Sequence, residues 1–231
     1  MFINIKDARK HYGEGETLVN ALDGVSLSLN EGRIYVILGP SGSGKSTLLN
    51  MIGGLDSLDS GEITIADRNI SGSDKKKLID YRCEDVGFVF QFYNLIPDLT
   101  VQENIEVVSD ISKNPLDIEE VMTALDIEKY RNRFPKELSG GQQQRAAIAR
   151  ALIKNPKILL CDELTGALDS KSSRSVLKFI EKINEQFKTT IIIITHNEAI
   201  ADMADSVIRI KDGRIADYTE NSHKLSAEEL A

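Results

Sequence analysis

The sequence is poor in the residues that would make it a secreted, membrane-spanning or nucleic-acid-binding chain. Only two cysteines, Cys83 and Cys161, occur in 231 residues. Two distant thiols make neither a disulfide framework nor a metal site, and they point to a reducing cytosol. The first residues, Met1-Phe2-Ile3-Asn4-Ile5-Lys6-Asp7, lack the basic-then-apolar order of a secretory leader. No apolar run approaches the roughly 20 residues needed to cross a bilayer, and Ile191-Ile192-Ile193-Ile194 is typical of the longest. Positive charge is also in deficit, with 28 Lys+Arg against 36 Asp+Glu and a formal net charge of −8. That balance argues against a phosphate-backbone partner, and no nucleic acid is expected to bind. The sequence shows neither an internal repeat nor a low-complexity segment. Any membrane role must therefore be exercised through another chain.

What is present is an ordinary globular composition, 41% hydrophobic and 28% charged, at a length that suits one large α/β domain. Alternation in Phe2-Ile3-Asn4-Ile5 and in Val25-Ser26-Leu27-Ser28-Leu29 predicts two half-buried strands. The unbroken apolar run Ile34-Tyr35-Val36-Ile37-Leu38 predicts a strand buried on both faces. A Gly/Ser loop follows, then a helix from about residue 45 to 52 closed by Gly53-Gly54. Further strands are expected at 62–65 and 86–90, with a helix at 74–81 between them. From 91 to 156 the pattern turns helical, with an amphipathic helix at 118–125 and a longer one from Gly140 that ends at Asn155-Pro156. Strand and helix then alternate again: strands at 157–161 and 189–194, a helix at 170–187, a short helix at 198–204 and two short strands at 207–210 and 214–216. Such alternation implies a mostly parallel sheet with helices on its faces. The chain is expected to form a core lobe from 1–90 and 157–217, a helical lobe from 91–156, and a loosely held polar tail from 218–231.

Three motifs carry chemistry. Gly39, Pro40, Ser41, Gly42, Ser43, Gly44, Lys45 and Ser46, followed by Thr47, match the phosphate-binding loop pattern in full. The glycines let successive N–H groups converge on phosphate oxygens, and a helix opening at Lys45 adds its positive end. Lys45 would reach the β- and γ-phosphates of a nucleotide, and the Ser46 hydroxyl would ligate Mg²⁺. A chance Gly/Ser connector is the plainer alternative, and the strand before and helix after weigh against it. Asp162 and Glu163 close the apolar run Ile158-Leu159-Leu160-Cys161, at the strand end where open α/β sheets bind ligands. Asp162 is placed to hold Mg²⁺ and Glu163 to act as general base on an attacking water. Leu138-Ser139-Gly140-Gly141-Gln142 reads as a capping box opening a helix. Two glycines in a first turn cost about 1 kcal/mol each relative to alanine, which a simple cap does not need. Bare backbone there makes a second anion site, one that would complete another subunit's nucleotide.

In this order and spacing, the three motifs resemble the nucleotide-binding domain of ABC transporters, over nearly the whole chain. The resemblance implies the P-loop NTPase fold of ABC type: a mostly parallel core sheet, an antiparallel β part and a helical subdomain. It implies an ATPase that uses ATP and Mg²⁺, with Glu163, His196 and Lys45 as catalytic residues. On the same pattern Tyr12 matches the aromatic that stacks on adenine, with packing at a strand end as its alternative. Gln91 matches the glutamine that senses Mg²⁺ and the γ-phosphate, and Ala167-Leu168-Asp169 the loop that touches a partner cassette. His196 matches the switch histidine at the γ-phosphate, although Thr195 and Glu198 could instead form a capping box around a passive ring.

A head-to-tail homodimer, or a heterodimer with a similar chain, is implied. Lys45, Ser46, Gln91, Asp162, Glu163 and His196 of one copy would face Ser139, Gly140, Gly141 and Gln142 of the other. The stroke would pass to a membrane permease on a separate chain through residues 92–104, placing the protein on the cytoplasmic face of the membrane. Phe92, Tyr93, Leu95 and Ile96 either dock that permease or pack on their own lobe. Leu22-Asp23-Gly24, Gly53-Gly54-Leu55-Asp56 and residues 165–170 resemble the lipoprotein-releasing, macrolide-export and antimicrobial-peptide-resistance subgroup, so an exporter or membrane extractor is expected. The alternatives are an ATPase that regulates a membrane partner mechanically without transport, and a soluble DNA-associated cassette. The sequence departs from the family at Leu164, which stands where proline usually follows the catalytic glutamate and could loosen the strand exit.

Overall fold

Strands that are apolar on both faces need cover on both sides, and the fold supplies it as two packed layers around a central sheet. The computed structural model describes residues 1–230. In chain order the elements are β1 (Ile3–Tyr12), β2 (Val19–Leu29), β3 (Ile34–Leu38), α1 (Lys45–Ile52), β4 (Ser60–Ile65), β5 (Arg68–Asn69), α2 (Lys75–Glu84) and β6 (Val86–Val89). They continue with α3 (Val101–Asp110), α4 (Ile118–Ala124), α5 (Gly140–Leu152), β7 (Ile158–Asp162), α6 (Ser170–Phe187), β8 (Thr190–Thr195), β9 (Ser206–Lys211) and β10 (Arg214–Glu220). One sheet is antiparallel, in the order β2-β1-β4-β5. The other, in the order β10-β9-β3-β8-β7-β6, is parallel from β9 to β6, and only β10 pairs antiparallel. This is the expected mostly parallel core sheet with an antiparallel β part and a helical lobe.

The period of two along a strand divides the core cleanly. Ile34, Val36 and Leu38 of β3, Leu159 and Cys161 of β7, and Ile191 and Ile193 of β8 pack with the helices α3, α4, α5 and α6. Tyr35 and Ile37, Ile158 and Leu160, and Ile192 and Ile194 point the other way, onto α1 and the antiparallel sheet. The parallel register aligns the carboxyl ends. Leu38 of β3 lies opposite Thr195 of β8, Ile194 of β8 opposite Asp162 of β7, and Val89 of β6 opposite Cys161 of β7. The loops after β3, β6, β7 and β8 therefore leave from one edge of the sheet, where open α/β sheets place their ligands.

The structure departs from the sequence reading in several places. β1 and β2 extend to Tyr12 and back to Val19 as one long hairpin, because register shifts break the alternation without ending the pairing. Asp74 caps α2 from outside rather than opening it, and the helix runs on to Glu84. A separate helix, α3, stands where only general helical character was expected, opened by a capping box of Thr100 and Glu103. The segment 198–203 is a 3₁₀ helix capped by Asn197, while Glu198 forms a two-pronged ion pair with Arg209; the Thr195/Glu198 capping box does not form. The loosely held tail is also corrected. Residues 218–220 complete β10, and Ala227 and Leu230 are buried in the core shared with α6. Ala227 N–H donates to Glu181 of α6, so the polar composition of this stretch conceals two apolar anchors. Among the described residues no helix is long and apolar enough to cross a membrane.

The entry to the helical lobe is fixed by Asn104, which is 0% exposed. Its Oδ1 accepts from Ile96 N–H at 2.8 Å, and its Nδ2 lies 3.1, 3.0 and 2.9 Å from the carbonyls of Ile96, Leu99 and Thr100. Replacing it by alanine strands buried backbone groups that cost about 1–3 kcal/mol. Asn104→Ala should lower stability by about 2–3 kcal/mol in a urea titration, and a midpoint equal to the native one would show that solvent reaches these groups.

Candidate functional site

The loop after β3 has a shape that side chains would prevent. Gly44 has φ +102°, and a Cβ there would stand 2.2 Å from the Ala21 carbonyl oxygen. A Cβ on Gly39 would stand 2.2 Å from the Ile210 carbonyl oxygen. Gly42, at φ +77°, turns the loop between them. The result is a ring of backbone around an open centre, with α1 starting at Lys45. The Lys45 ammonium donates to the carbonyls of Gly39 and Pro40, both at 2.8 Å. The Ser43 hydroxyl is buried with no hydrogen-bond partner. Backbone N–H groups at the start of α1 and a cation resting on weak acceptors together fit a polyphosphate.

This loop forms one wall of a cavity of about 660 Å³. Ser41, Gly42, Gly44, Lys45, Ser46 and Thr47 line it from the loop, and Gln91, Asp162, Glu163 and His196 line it from three other strand ends. Ser46 and Asp162 line it together, the hydroxyl from the start of α1 and the carboxylate from the end of β7. Burial, with the neighbouring Glu163 charge, pushes the Asp162 carboxyl above its usual range, while Ser46 and Lys45 pull it partly back. One hydroxyl and one carboxylate make the sparse oxygen set that suits Mg²⁺, an ion that keeps waters and takes phosphate oxygens as its other ligands.

Glu163 leaves β7 with φ +49°, a left-handed turn that aims its carboxylate across the cavity. Its N–H donates to the Ile194 carbonyl at 3.0 Å, which ties the turn to β8. His196 Nδ1 lies 3.0 Å from Glu163 Oε1, and Thr195 Oγ1 donates to Oε2 at 3.5 Å. The Glu163 side chain is 19% exposed and that of His196 72%, so the carboxylate is sheltered while the imidazole faces the open side. Gln91 Nε2 and Glu163 Oε2 both flank Gly166, where a Cβ would lie 3.1 and 3.6 Å from them. Leu164 is 2% exposed and packs into the main core, so this chain secures the strand exit by burial in place of a proline ring.

The other expected positions lie around this centre. Gly39, Pro40 and Ser43 belong to the loop without lining the cavity. Tyr12 does not line it, and its hydroxyl is bonded to Asp56 at 2.7 Å. Ser139, Gly140, Gly141 and Gln142 do not reach this cavity. Ser139 and Gln142 form the reciprocal cap of α5, and the two glycines abut Tyr93, Leu168 and Ser172. Of the four apolar residues after Gln91, Phe92 is 77% exposed and Ile96 also faces solvent, while Leu95 packs on the core and Tyr93 on Gly140. Val19 and Ala21, which also line the cavity, escaped the sequence reading. The only signal for them was the apolar pair Leu18-Val19 just after a Gly/Glu-rich turn.

The chain is similar to known proteins over most of its length. The family profile described as "ABC transporter" matches residues 22–166. The chain is 44% identical over 220 residues to an ABC transporter ATP-binding protein of Mycoplasma pneumoniae, the MG467 homolog, covering 93% of this chain and 65% of that one. It is 42% identical over 236 residues to the macrolide export ATP-binding/permease protein MacB of Pasteurella multocida, covering 99% of this chain and 36% of that one. The chain spans between 50% and 65% of the length of the first mycoplasma relatives it matches. Among solved structures it is similar to the ATP-binding cassette MJ0796, a dimer in a post-hydrolysis state with ADP and Pi, at TM-score 0.85 and 39% identity over 94% of this chain and 98% of that one. MJ0796 is a protein of Methanocaldococcus jannaschii. With a profile match across more than half of its length and the phosphate loop, Gln91 and the Asp162-Glu163 strand end gathered on one sheet edge, the chain belongs to the ABC transporter family.

Proposed function

We propose that this chain is an ATP-driven motor: it binds ATP with Mg²⁺ in the Lys45 cavity, hydrolyses it with Glu163 as general base, and drives a permease carried on a separate chain. The observation that carries this reading is the Glu163 carboxylate, held by His196 and Thr195 over the same cavity that Lys45, Ser46 and Asp162 line. On binding, Lys45 exchanges the Gly39 and Pro40 carbonyls for phosphate oxygens. The N–H groups of the loop and the first turn of α1 add converging positive ends. Ser46 and Asp162, with Gln91 beside them, would hold Mg²⁺, and that ion would supply charge neutralisation for the phosphates. Glu163 takes the proton of the attacking water. The imidazole of His196 keeps the carboxylate in place and stands exposed towards the γ-phosphate. Tyr12 offers its ring to the base, its hydroxyl fixed by Asp56.

The capped, glycine-bearing start of α5 lies outside this cavity, which leaves residues 139–142 free to close over the nucleotide of a second copy. The dimeric state of the MJ0796 cassette supports a pairing of two copies, which we read as head-to-tail. The kinship with MacB, whose name joins ATP binding to a permease, supports an export or extraction system. Phe92 and Ile96 are the exposed apolar residues that follow the glutamine in the chain, and they suit the permease contact. Working from such a partner, the motor would sit on the cytoplasmic face of the membrane.

Two substitutions test the reading. Glu163→Gln keeps the shape and removes the base, so kcat should fall by at least about 100-fold, while ATP now holds a dimer that survives size-exclusion chromatography. Turnover at the native rate would remove Glu163 from the chemistry. Lys45→Ala should weaken binding of a fluorescent ATP analogue by about ten-fold or more, and an unchanged titration curve would mean that the loop is not the phosphate site.

A further inference from the structure

At the outer end of β1 three consecutive residues converge on one loop. β4 pairs with β1 as far as Arg9, opposite Ser60, and the residues before β4, 56–59, lie along the edge that remains. A regular strand would send Lys10, His11 and Tyr12 to alternate faces. The pairing of β1 with β2 shifts register between Lys10 and His11, and that irregularity lets all three reach Asp56 or Asp59. His11 N–H donates to Asp59 Oδ2 at 2.6 Å, and its Nδ1 lies 2.8 Å from the same oxygen. The Tyr12 hydroxyl donates to Asp56 Oδ2 at 2.7 Å.

Lys10 sits at the centre of this cluster, its side chain only 11% exposed. Its ammonium donates to the Ser57 carbonyl at 2.7 Å and to Asp56 Oδ1 at 3.4 Å, and it lies 3.6 Å from Asp59 Oδ1. It also stands 5.3 Å from the centroid of the Tyr12 ring, within cation–π range. One sheltered cation thus gathers two carboxylates of a short loop and faces the ring that one of them tethers. Burial pushes the Asp56 carboxyl up, but the Tyr12 hydroxyl, the Ser57 N–H and the Lys10 ammonium hold it below its ordinary range, so it stays an acceptor.

The placement of the cluster gives it a role. Tyr12 pairs across the hairpin with Val19, which lines the nucleotide cavity. Residues opposed in this way have Cβ atoms about 5 Å apart and share a face. Tyr12 is 42% exposed, so a ring without its tether would be free to turn. The loop that supplies the tether follows α1, the helix that opens at Lys45 and closes at Gly53. Eight helical residues rise about 12 Å, and this rigid length separates the phosphate loop from the segment that bears Asp56.

We infer that Lys10 and Asp56 are positioning residues that set the Tyr12 ring as a platform for the nucleobase, with α1 fixing its distance from the phosphate loop. This rests on the ATPase reading above, in which Tyr12 meets the base. It adds that the base is aimed from the far end of the same helix that receives the phosphates. Lys10 and Asp56 act through the tyrosine and not on the nucleotide.

The test is calorimetric titration with ATP and, separately, with inorganic tripolyphosphate, which has the phosphates and lacks the base, both with Mg²⁺. Asp56→Ala, Lys10→Met and Tyr12→Phe should each weaken ATP binding about five-fold by freeing the ring, and leave tripolyphosphate within about two-fold of native. Asp56→Ala combined with Tyr12→Phe should lose no more than either alone, since both cut the same bond. Native ATP affinity in these variants overturns the inference. So does equal weakening of both ligands, which would make the cluster a brace of the fold. Should Asp56→Ala fail to fold, Tyr12→Phe decides, because it keeps the ring and removes only the tether. Tyr12→Ala separates this inference from the reading beneath it. Native ATP affinity there removes the tyrosine from the base, whereas weakened binding there with native binding in Asp56→Ala overturns the positioning alone. An unaltered chain that binds neither ligand would sink the ATPase reading itself.

Discussion

The constraint on which the rest depends is that β8 is apolar on both faces. Its four consecutive isoleucines can be buried only at the centre of a sheet that is itself covered on both sides. Two parallel neighbours, β3 and β7, satisfy its edges, and parallel pairing sends all three strands out at the same end. The phosphate loop, the Asp162-Glu163 pair and His196 are therefore assembled by hydrophobic burial, with no direct bond needed between their loops. β6 adds Gln91 by the same device, one strand further out.

Within that frame the turn at Glu163 is held by opposing terms of similar size. A non-glycine residue in the left-handed region costs about 1–2 kcal/mol, and Glu163 sits there. The next residue, Leu164, is buried in the main core, and full burial of a leucine contributes about 1.5–3 kcal/mol. The burial term at least matches the strain. A leucine at this position is therefore a different solution to the same geometric demand that a proline would meet, and the glutamate keeps its aim.

Much of the site could be read from the sequence because its parts are contiguous. The phosphate loop, the α5 cap and the acidic strand end are each single stretches, and local chemistry dictates their shape: φ signs at Gly42 and Gly44, the reciprocal bonds of Ser139 and Gln142, the apolar run before Asp162. What escaped depends on contacts between distant stretches. Val19 and Ala21 reach the cavity only because β2 crosses behind Gly44, and no periodicity around residue 20 announces that. The bulged pairing of β1 with β2 hides the true strand lengths, since each register shift resets the alternation. The terminal stretch looked unanchored because Ala227 and Leu230 are isolated apolar residues among polar ones. Two such residues carry no period, and their burial is decided by the groove beside α6.

The place of the Lys45 ammonium has a mechanical meaning. It bonds the Gly39 and Pro40 carbonyls from within the loop. The backbone of Gly39 also lies close against Ile210 and that of Gly44 against Ala21, so neighbouring strands brace the loop from outside. A ligand that took over the ammonium would leave those outer braces in place, and one flexible side chain would move, on the order of nanoseconds, while the backbone kept its shape.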